Sequence, residues 1–304
     1  MDRSSRYYTQ VQLLLRVLPF VSEETCFALK GGTAINLFVR DLPRLSVDID
    51  LVYLPDSERD EALTDIRDAL ERIASATEGA LHGAEVTRSY QDKADSLRLL
   101  VSSGEAVIKI ELSPVLRGTV YEPQVLSVVD AVEDEFGFAE ACVVAAEDLY
   151  AGKLCAALDR QHPRDWFDAM LLNENEGITS GLRKAFMVYL VSHPRPMEEL
   201  LSPNWKQQDA LFDGEFKGMT FRDVTLEEMR LVLEQMLSEL LSTMTQNEKR
   251  FLCSVYDQEP QWELLELGGV DALPAVRWKL RNVQRMTAAK REASRERLSQ
   301  ILWP

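Results

Sequence analysis

Histidine and cysteine are scarce in this chain: three His and four Cys among 304 residues. The cysteines (Cys26, Cys142, Cys155, Cys253) stand far apart with no Cys-x-x-Cys pair, and none of His82, His162 and His193 has an i, i+4 partner. That removes the usual zinc spacings and a disulfide framework, leaving reduced, mostly buried thiols. Long apolar runs are missing too. The longest near the start, Val11 to Phe20, is broken by Gln12 and Arg16, and no small-residue cleavage site follows it. Nothing reads as a membrane span or export signal, so a cytoplasmic location is expected. Positive charge is in deficit: 34 Lys and Arg face 50 Asp and Glu, a net of −16, which argues against a protein that simply coats DNA.

The deficit is uneven. Between Arg277 and Arg297, eight Lys and Arg (Arg277, Lys279, Arg281, Arg285, Lys290, Arg291, Arg295, Arg297) meet only Glu292 and Glu296, leaving that segment at +6 and the rest at −22. Such a run either holds a polyanion or is a solvated helix face.

Apolar spacing predicts a first helix over residues 5–20. A short apolar stretch, Cys26 to Leu29, leads into Lys30-Gly31-Gly32, and Thr33 to Val39 reads as a short helix. From Leu45 to Leu54 the alternation is period two: Leu45, Val47, Ile49, Leu51 and Tyr53 face one way, and Ser46, Asp48 and Asp50 the other. A charged helix is predicted near 57–78, then strands at 83–90, 96–102 and 105–112 and a further pair at 125–130 and 138–144. Within 105–112, Lys109 and Glu111 share the polar face. Helices are predicted near 147–160, 164–173, 178–191, 225–243, 247–256, 271–286 and 288–301, with proline and glycine marking the loops between them. The pattern is an α/β first half with an antiparallel-leaning sheet, then an all-helical second half, with the boundary near 175–195.

Asp48 and Asp50, two apart on a strand, project from one face and suit Mg²⁺, a hard cation that takes carboxylates together with substrate phosphates. A Gly31-Gly32-Thr33 turn opening a helix lets backbone approach triphosphate oxygens, with helix N–H donors and dipole behind it. Taken singly, a glycine pair is usually a turn and Asp-x-Asp a solvated strand edge. Both together with Arg44-Leu45-Ser46-Val47-Asp48-Ile49-Asp50, inside 21 residues, are hard to explain structurally.

This segment resembles the nucleotidyltransferase superfamily of the DNA polymerase β type. More closely, Leu29-Lys30-Gly31-Gly32-Thr33-Ala34 with Arg44 to Leu51 is similar to the AbiEii/AbiGii toxin family, which includes the MenT group. Lys153, followed by Arg160-Gln161-His162-Pro163-Arg164-Asp165-Trp166-Phe167-Asp168, resembles the family's later Lys and Arg-Asp-x-x-Asp motif. Phe251-Leu252 and Leu273 to Leu280 resemble its C-terminal region. The likeness is weakest over 57–145, where only Lys109-Ile110-Glu111 aligns in character.

The resemblance implies an α+β fold: a nucleotidyltransferase-type mixed β-sheet flanked by helices over residues 1–180, then an all-helical domain over 181–304. It implies a Mg²⁺-dependent nucleotidyltransferase toxin of a toxin–antitoxin or abortive-infection system. Such an enzyme moves NMP from an NTP to RNA, the tRNA 3′ end above all, and releases pyrophosphate. The expected catalytic set is Asp48, Asp50, Lys153, Asp168 and Glu111, with Asp48, Asp50 and Glu111 on one or two Mg²⁺ ions. The nucleotide-binding set is Lys30, Gly31, Gly32, Thr33, Arg44 and Ser46. A cognate antitoxin is the expected protein partner.

Bland readings stand beside these. Glu111 is equally an ordinary surface glutamate, and Lys153 a helix-surface lysine. Asp165 fits the first turn of the helix opened by Pro163. Arg164 and Asp168, at i, i+4, form a plain helix ion pair. Trp166 and Phe167 read as core. Transfer to a small molecule or protein side chain, or a catalytically silent nucleotide-binding module, are the competing functions.

Overall fold

A computed structural model describes residues 5–91, 93 and 96–304. The chain forms two compact units: Met1–Ala145 with Gly218–Asp223, and Ala146–Lys217 with Val224–Pro304.

The first unit is built on one seven-stranded sheet in the order β3-β4-β5-β2-β1-β7-β6. Its strands are β1 (Phe27–Lys30), β2 (Asp48–Tyr53), β3 (Ala84–Arg88), β4 (Arg98–Ser103), β5 (Ala106–Leu112), β6 (Gln124–Ser127) and β7 (Glu140–Val143). β2 runs parallel to β5 and β1 parallel to β7, while the other neighbours are antiparallel, so the sheet is mixed.

Helix α1 (Arg6–Ser22) packs on β5 and β7, and α3 (Arg59–Ala80) on β3 and β4. The buried faces explain the arrangement. Val11, Leu14, Val17 and Leu18 of α1 are fully buried, as are Ile66, Ala69 and Leu70 of α3. These positions recur at helical spacing and form one apolar stripe per helix. On the sheet, Ile49, Leu99, Val101 and Ile110 have no exposure. They follow the period-two pattern that puts alternate residues on one side of a strand.

Between β1 and β2 the chain turns through α2 (Gly31–Ala34), continued by a π-helical turn at Ile35–Val39. Sequence spacing predicted one regular helix there. α4 (Asp130–Phe136), between β6 and β7, was not predicted: it buries Val132 alone, so no apolar periodicity marks it.

The second unit is helical throughout: α5 (Ala146–Asp159), α6 (Pro163–Asn175), α7 (Ser180–Ser192), α8 (Met197–Leu201), α9 (Asp209–Leu211), α10 (Leu226–Thr243), α11 (Gln246–Tyr256), α12 (Pro274–Gln284) and α13 (Ala288–Leu302). α5 packs on α6 and α7, and α6 on α10, around Trp166, Phe167, Phe186 and Phe251, all without exposure. Trp166 and Phe167 are thus core. The sequence-based boundary near 180 differs from this division, because α5 and α6 belong with the other helices rather than with the sheet. The predicted 271–286 helix starts at Pro274, whose missing N–H suits a first helical position; a short 3₁₀ turn, Val270–Ala272, precedes it.

Candidate active site

β2 carries the two aspartates into the middle of the sheet. Leu45, Val47, Ile49, Leu51 and Tyr53 are buried as the alternation required, and Asp48 and Asp50 are half-buried on the other face. The strand itself starts only at Asp48. Upstream, Leu45 N–H donates to the Met219 carbonyl at 2.7 Å and Arg44 bridges to Thr220, so residues 218–223 hold the approach to the strand.

Residues in register on neighbouring strands project to the same side of a sheet. The registers Lys30–Asp50, Asp50–Glu111 and Glu111–Arg98 therefore make one polar row, Lys30-Asp50-Glu111-Arg98, across four strands. Asp48 pairs with Lys109 in the next row. Among the described residues the Asp50 carboxylate makes no hydrogen bond and no ion pair. Glu111 differs. Its two oxygens are held by Arg98 at 2.5 Å and Lys109 at 2.7 Å. Burial pushes the Glu111 carboxyl up, but those two cations outweigh it and hold the group below the ordinary carboxylate range.

The glycine pair is required by close packing. Gly31 sits at φ +77°, and a Cβ there would lie 2.6 Å from Asp50 Oδ2. A Cβ on Gly32 would lie 2.6 Å from Arg44 Nη2 and 2.9 Å from Ser46 Oγ. All three contacts are shorter than real Cβ atoms show, and at Gly31 the positive φ adds strain for every residue except glycine. The loop backbone is thereby pressed directly onto the aspartate strand.

Thr33, Arg44 and Ser46 turn inward beneath it. The Thr33 hydroxyl donates to the Asp48 carbonyl at 2.5 Å, and its oxygen lies 3.1 Å from Ser46 Oγ. Arg44 is 2% exposed and donates to the Leu45 carbonyl at 2.9 Å. Asn36, from the π-helical turn, donates to the Gly32 carbonyl at 2.8 Å. These side chains act as struts that fix the loop against the strand.

Lys153 and Asp168 belong to the second unit, where the geometry is of another kind. Lys153 Nζ lies 2.8 Å from Asp165 Oδ1 and 3.0 Å from Asp168 Oδ2, and both carboxylates are fully buried. Arg160, itself exposed, adds two hydrogen bonds to Asp165 at 2.5 and 2.9 Å. Burial alone would raise the Asp165 pKa; the Lys153 charge, then Arg160, drives it far below the carboxylate range. Asp165 does stand in the first turn of α6, but its side chain serves this cluster. Arg164 does not pair with Asp168: it reaches Glu215 at 3.6 Å. His162 caps α6 through Nδ1, which accepts from the Arg164 N–H, so Nε2 carries the proton and donates to Glu215 at 3.1 Å.

The sequence reading missed Arg98, Lys109 and Asp165 as members of these clusters. Lys109 was visible on the polar face of its strand. Arg98 needed the β4–β5 register, and Asp165 needed the angle between α5 and α6, neither of which local pattern supplies.

Among the described residues no three His, Cys, Asp or Glu side chains converge as a metal-holding group, and no helix is long and apolar enough to cross a membrane. Two carboxylates on one face with a glycine cradle beside them do fit Mg²⁺, because that ion completes its shell with water and substrate phosphate.

Comparison with known proteins accords with this geometry. The family model described as "Nucleotidyl transferase AbiEii toxin, Type IV TA system" matches residues 12–282. No curated protein matches the chain. Among solved structures it is similar to MenT4, a nucleotidyltransferase toxin from Mycobacterium tuberculosis H37Rv, with TM-score 0.65 and 17% identity over 91% of this chain and 95% of that one. At that identity the likeness bears on the fold, which is a shared α+β architecture. The family match covers most of the chain, and the chain therefore belongs to the AbiEii nucleotidyltransferase toxin family of type IV toxin–antitoxin systems.

Proposed function

We propose that this enzyme transfers NMP from an NTP to RNA, the tRNA 3′ end being the favoured acceptor, in a Mg²⁺-dependent reaction that releases pyrophosphate. The single observation that carries the reading is the Asp50 carboxylate. It is half-buried, without a partner among the described residues, and separated from the Gly31 backbone by less than a methyl group. A group so placed can serve a cation and a phosphate at once.

In this reading Asp48 and Asp50 hold Mg²⁺, with Glu111 as the third carboxylate. When bound, the ion neutralises charge on the reacting phosphoryl group and on the leaving pyrophosphate. The chain's own part is positioning. Gly31 and Gly32 bring backbone close to the triphosphate, and the amino end of α2 turns N–H groups toward it. Lys30, in the Asp50 row, contributes a mobile positive charge. The Arg44 guanidinium, buried against Gly32, adds fixed positive potential under the loop. Glu111 is a weak base while Arg98 and Lys109 hold it, so its first role is as a ligand, with proton acceptance following release from those cations. Lys153 and Asp168 stay in the proposed catalytic set as a pair, Asp168 orienting Lys153 at 3.0 Å.

The test is incubation of purified protein with total RNA, Mg²⁺ and each labelled NTP in turn, comparing wild type with Asp48→Ala. Label should enter RNA, with one NTP preferred, and vanish in the variant. Confirmed nucleotide binding with no labelled RNA would sink the acceptor assignment; label in a small-molecule or protein fraction would replace it. The cognate antitoxin is the partner expected to suppress the activity.

A further inference from the structure

The basic C-terminal segment divides sharply in the structure. Four of its cations are engaged. Lys279 is buried and donates to the carbonyls of His193 and Arg195, both at 2.7 Å. Arg291 donates to the Met286 carbonyl at 3.2 Å, Arg295 pairs with Asp257 at 2.6 Å, and Arg297 with Glu198 at 3.0 Å. The other four, Arg277, Arg281, Arg285 and Lys290, are exposed, and their side chains have no hydrogen bond or ion pair among the described residues.

Three of these four lie in one line. Arg277, Arg281 and Arg285 follow each other at i, i+4 and i+8, the last as the C-cap of α12. That spacing places them on one face at intervals of about 6 Å. Trp278, 41% exposed, stands beside them on the same face. The opposite face, Ala275, Val276, Lys279 and Val283, is buried.

A solvated helix face would look different. α12 contains no Asp or Glu, so nothing within the helix offsets the arginines, and like charges at i, i+4 destabilise it. The exposed indole likewise leaves apolar surface in water. Both costs fall on the free protein, and both are relieved by one class of ligand: a strand with a charge at every unit and flat bases between.

We propose that the outward face of α12, Arg277-Trp278-Arg281-Arg285, is a docking strip for RNA. The arginines neutralise successive phosphates while Trp278 stacks on an unpaired base. Arginine suits both tasks, since its planar guanidinium bonds phosphate in a fork and stacks on bases. An acidic protein partner would use the same charges and bury the indole too, but it does not supply a phosphate at each ~6 Å step of the arginine line, as an RNA strand does. This strip deepens the RNA acceptor reading above and rests on it.

The experiment measures binding of a short labelled single-stranded RNA to the full chain by anisotropy over about 50–200 mM salt, the range in which phosphate contacts weaken steeply. Replacing all three arginines by Ala should weaken binding at least about tenfold and reduce the slope of log affinity against log salt by about 2, three contacts at ~0.7 each. Trp278→Ala should cost about 5- to 100-fold with the slope unchanged, and Trp278→Phe should recover most of it. Thermal midpoints should hold or rise slightly as the like-charge repulsion is removed, and the lack of a fall in any variant separates docking from folding.

Wild-type affinity and slope in the triple variant would overturn the strip. So would displacement of RNA by polyglutamate at equal charge with no effect of Trp278→Ala, which would mark an acidic-protein surface. The labelling assay separates this proposal from the acceptor reading. RNA labelled equally by wild type and triple variant removes the strip and keeps the acceptor. Strip-dependent RNA binding without labelling keeps the strip and removes the acceptor.

Discussion

Asp50 and Asp168 are both aspartates matched to a lysine, one on an open sheet face and one in a helical core. Asp50 stands in register with Lys30 yet makes no bond to it, and both oxygens are available. Asp168 and its neighbour Asp165 are closed over Lys153 at 3.0 and 2.8 Å with no exposure. A carboxylate left half-exposed and unpaired retains its affinity for an incoming cation. One sealed against a lysine has already spent that affinity on the fold. The difference teaches what each substitution should damage: chemistry in the first unit, and stability before chemistry in the second.

The comparison breaks most visibly at Asp50. Asp50→Ala should lower nucleotidyl transfer by about 10³-fold or more, since several kcal/mol of charge stabilisation disappear and each ~1.4 is tenfold in rate. Its urea unfolding midpoint should match wild type; a large drop there would mean that Asp50 is structural.

Asp165→Asn should behave in the opposite way. Removing one partner of a buried cluster typically costs about 3–5 kcal/mol, and denaturant unfolding should show it. The pH dependence has a definite sign. Asp165 is held far below the ordinary range in the folded state, so its contribution is complete at neutral pH. It should fade as pH drops below the ordinary carboxylate range. The variant should show a flatter acid limb than wild type. Identical limbs would refute the linkage.

Gly31→Ala is the next step down. Its Cβ would meet Asp50 Oδ2 at 2.6 Å, and the left-handed backbone adds roughly 1–2 kcal/mol of strain. Activity should fall about a hundredfold, far more than stability, through displacement of the carboxylate. Gly83→Ala, also at positive φ but facing open space, is the control: it should show the backbone strain without the loss of activity.

The smallest effect concerns a buried lysine with no carboxylate hydrogen-bonded to it. Lys279 donates only to carbonyls at the end of α7, and burial lowers its pKa to about 8 despite Glu198 and Glu199. The unfolded chain then holds more protons than the folded one above that pH. Stability relative to Lys279→Met should therefore rise as pH increases from about 8 toward the unfolded lysine value. An increment on the order of 1 kcal/mol is expected after allowance for solvent screening. A falling difference would contradict it.

What the sequence showed and what it hid follow one physical line. The alternation from Leu45 to Tyr53 placed Asp48 and Asp50 on one face because strand period is a local property. The helices α10 and α11 were readable from apolar periodicity for the same reason. The inward turn of Thr33, Arg44 and Ser46 was not readable. A threonine and an arginine beside a glycine loop suit phosphate, and only packing shows that they also brace the loop, Thr33 on the Asp48 carbonyl and Arg44 on the Leu45 carbonyl. The Glu111 pairings and the Asp165 cluster also depend on neighbours distant in sequence. α4 buries Val132 alone, and α8, although mostly buried, is five residues long, too short to leave a period.

The segment Gly218–Asp223 has a consequence for the order of synthesis. Leu45 finds its backbone partner in Met219, and Arg44 in Thr220. A ribosome adding roughly 5–20 residues per second makes the aspartate strand some tens of seconds before the piece that clamps its approach. A growing toxin therefore carries Asp48 and Asp50 well before their strand is secured. A fragment ending near residue 180 would stay permanently at that stage, with β1 and β5 beside the strand and the clamp on its approach never supplied.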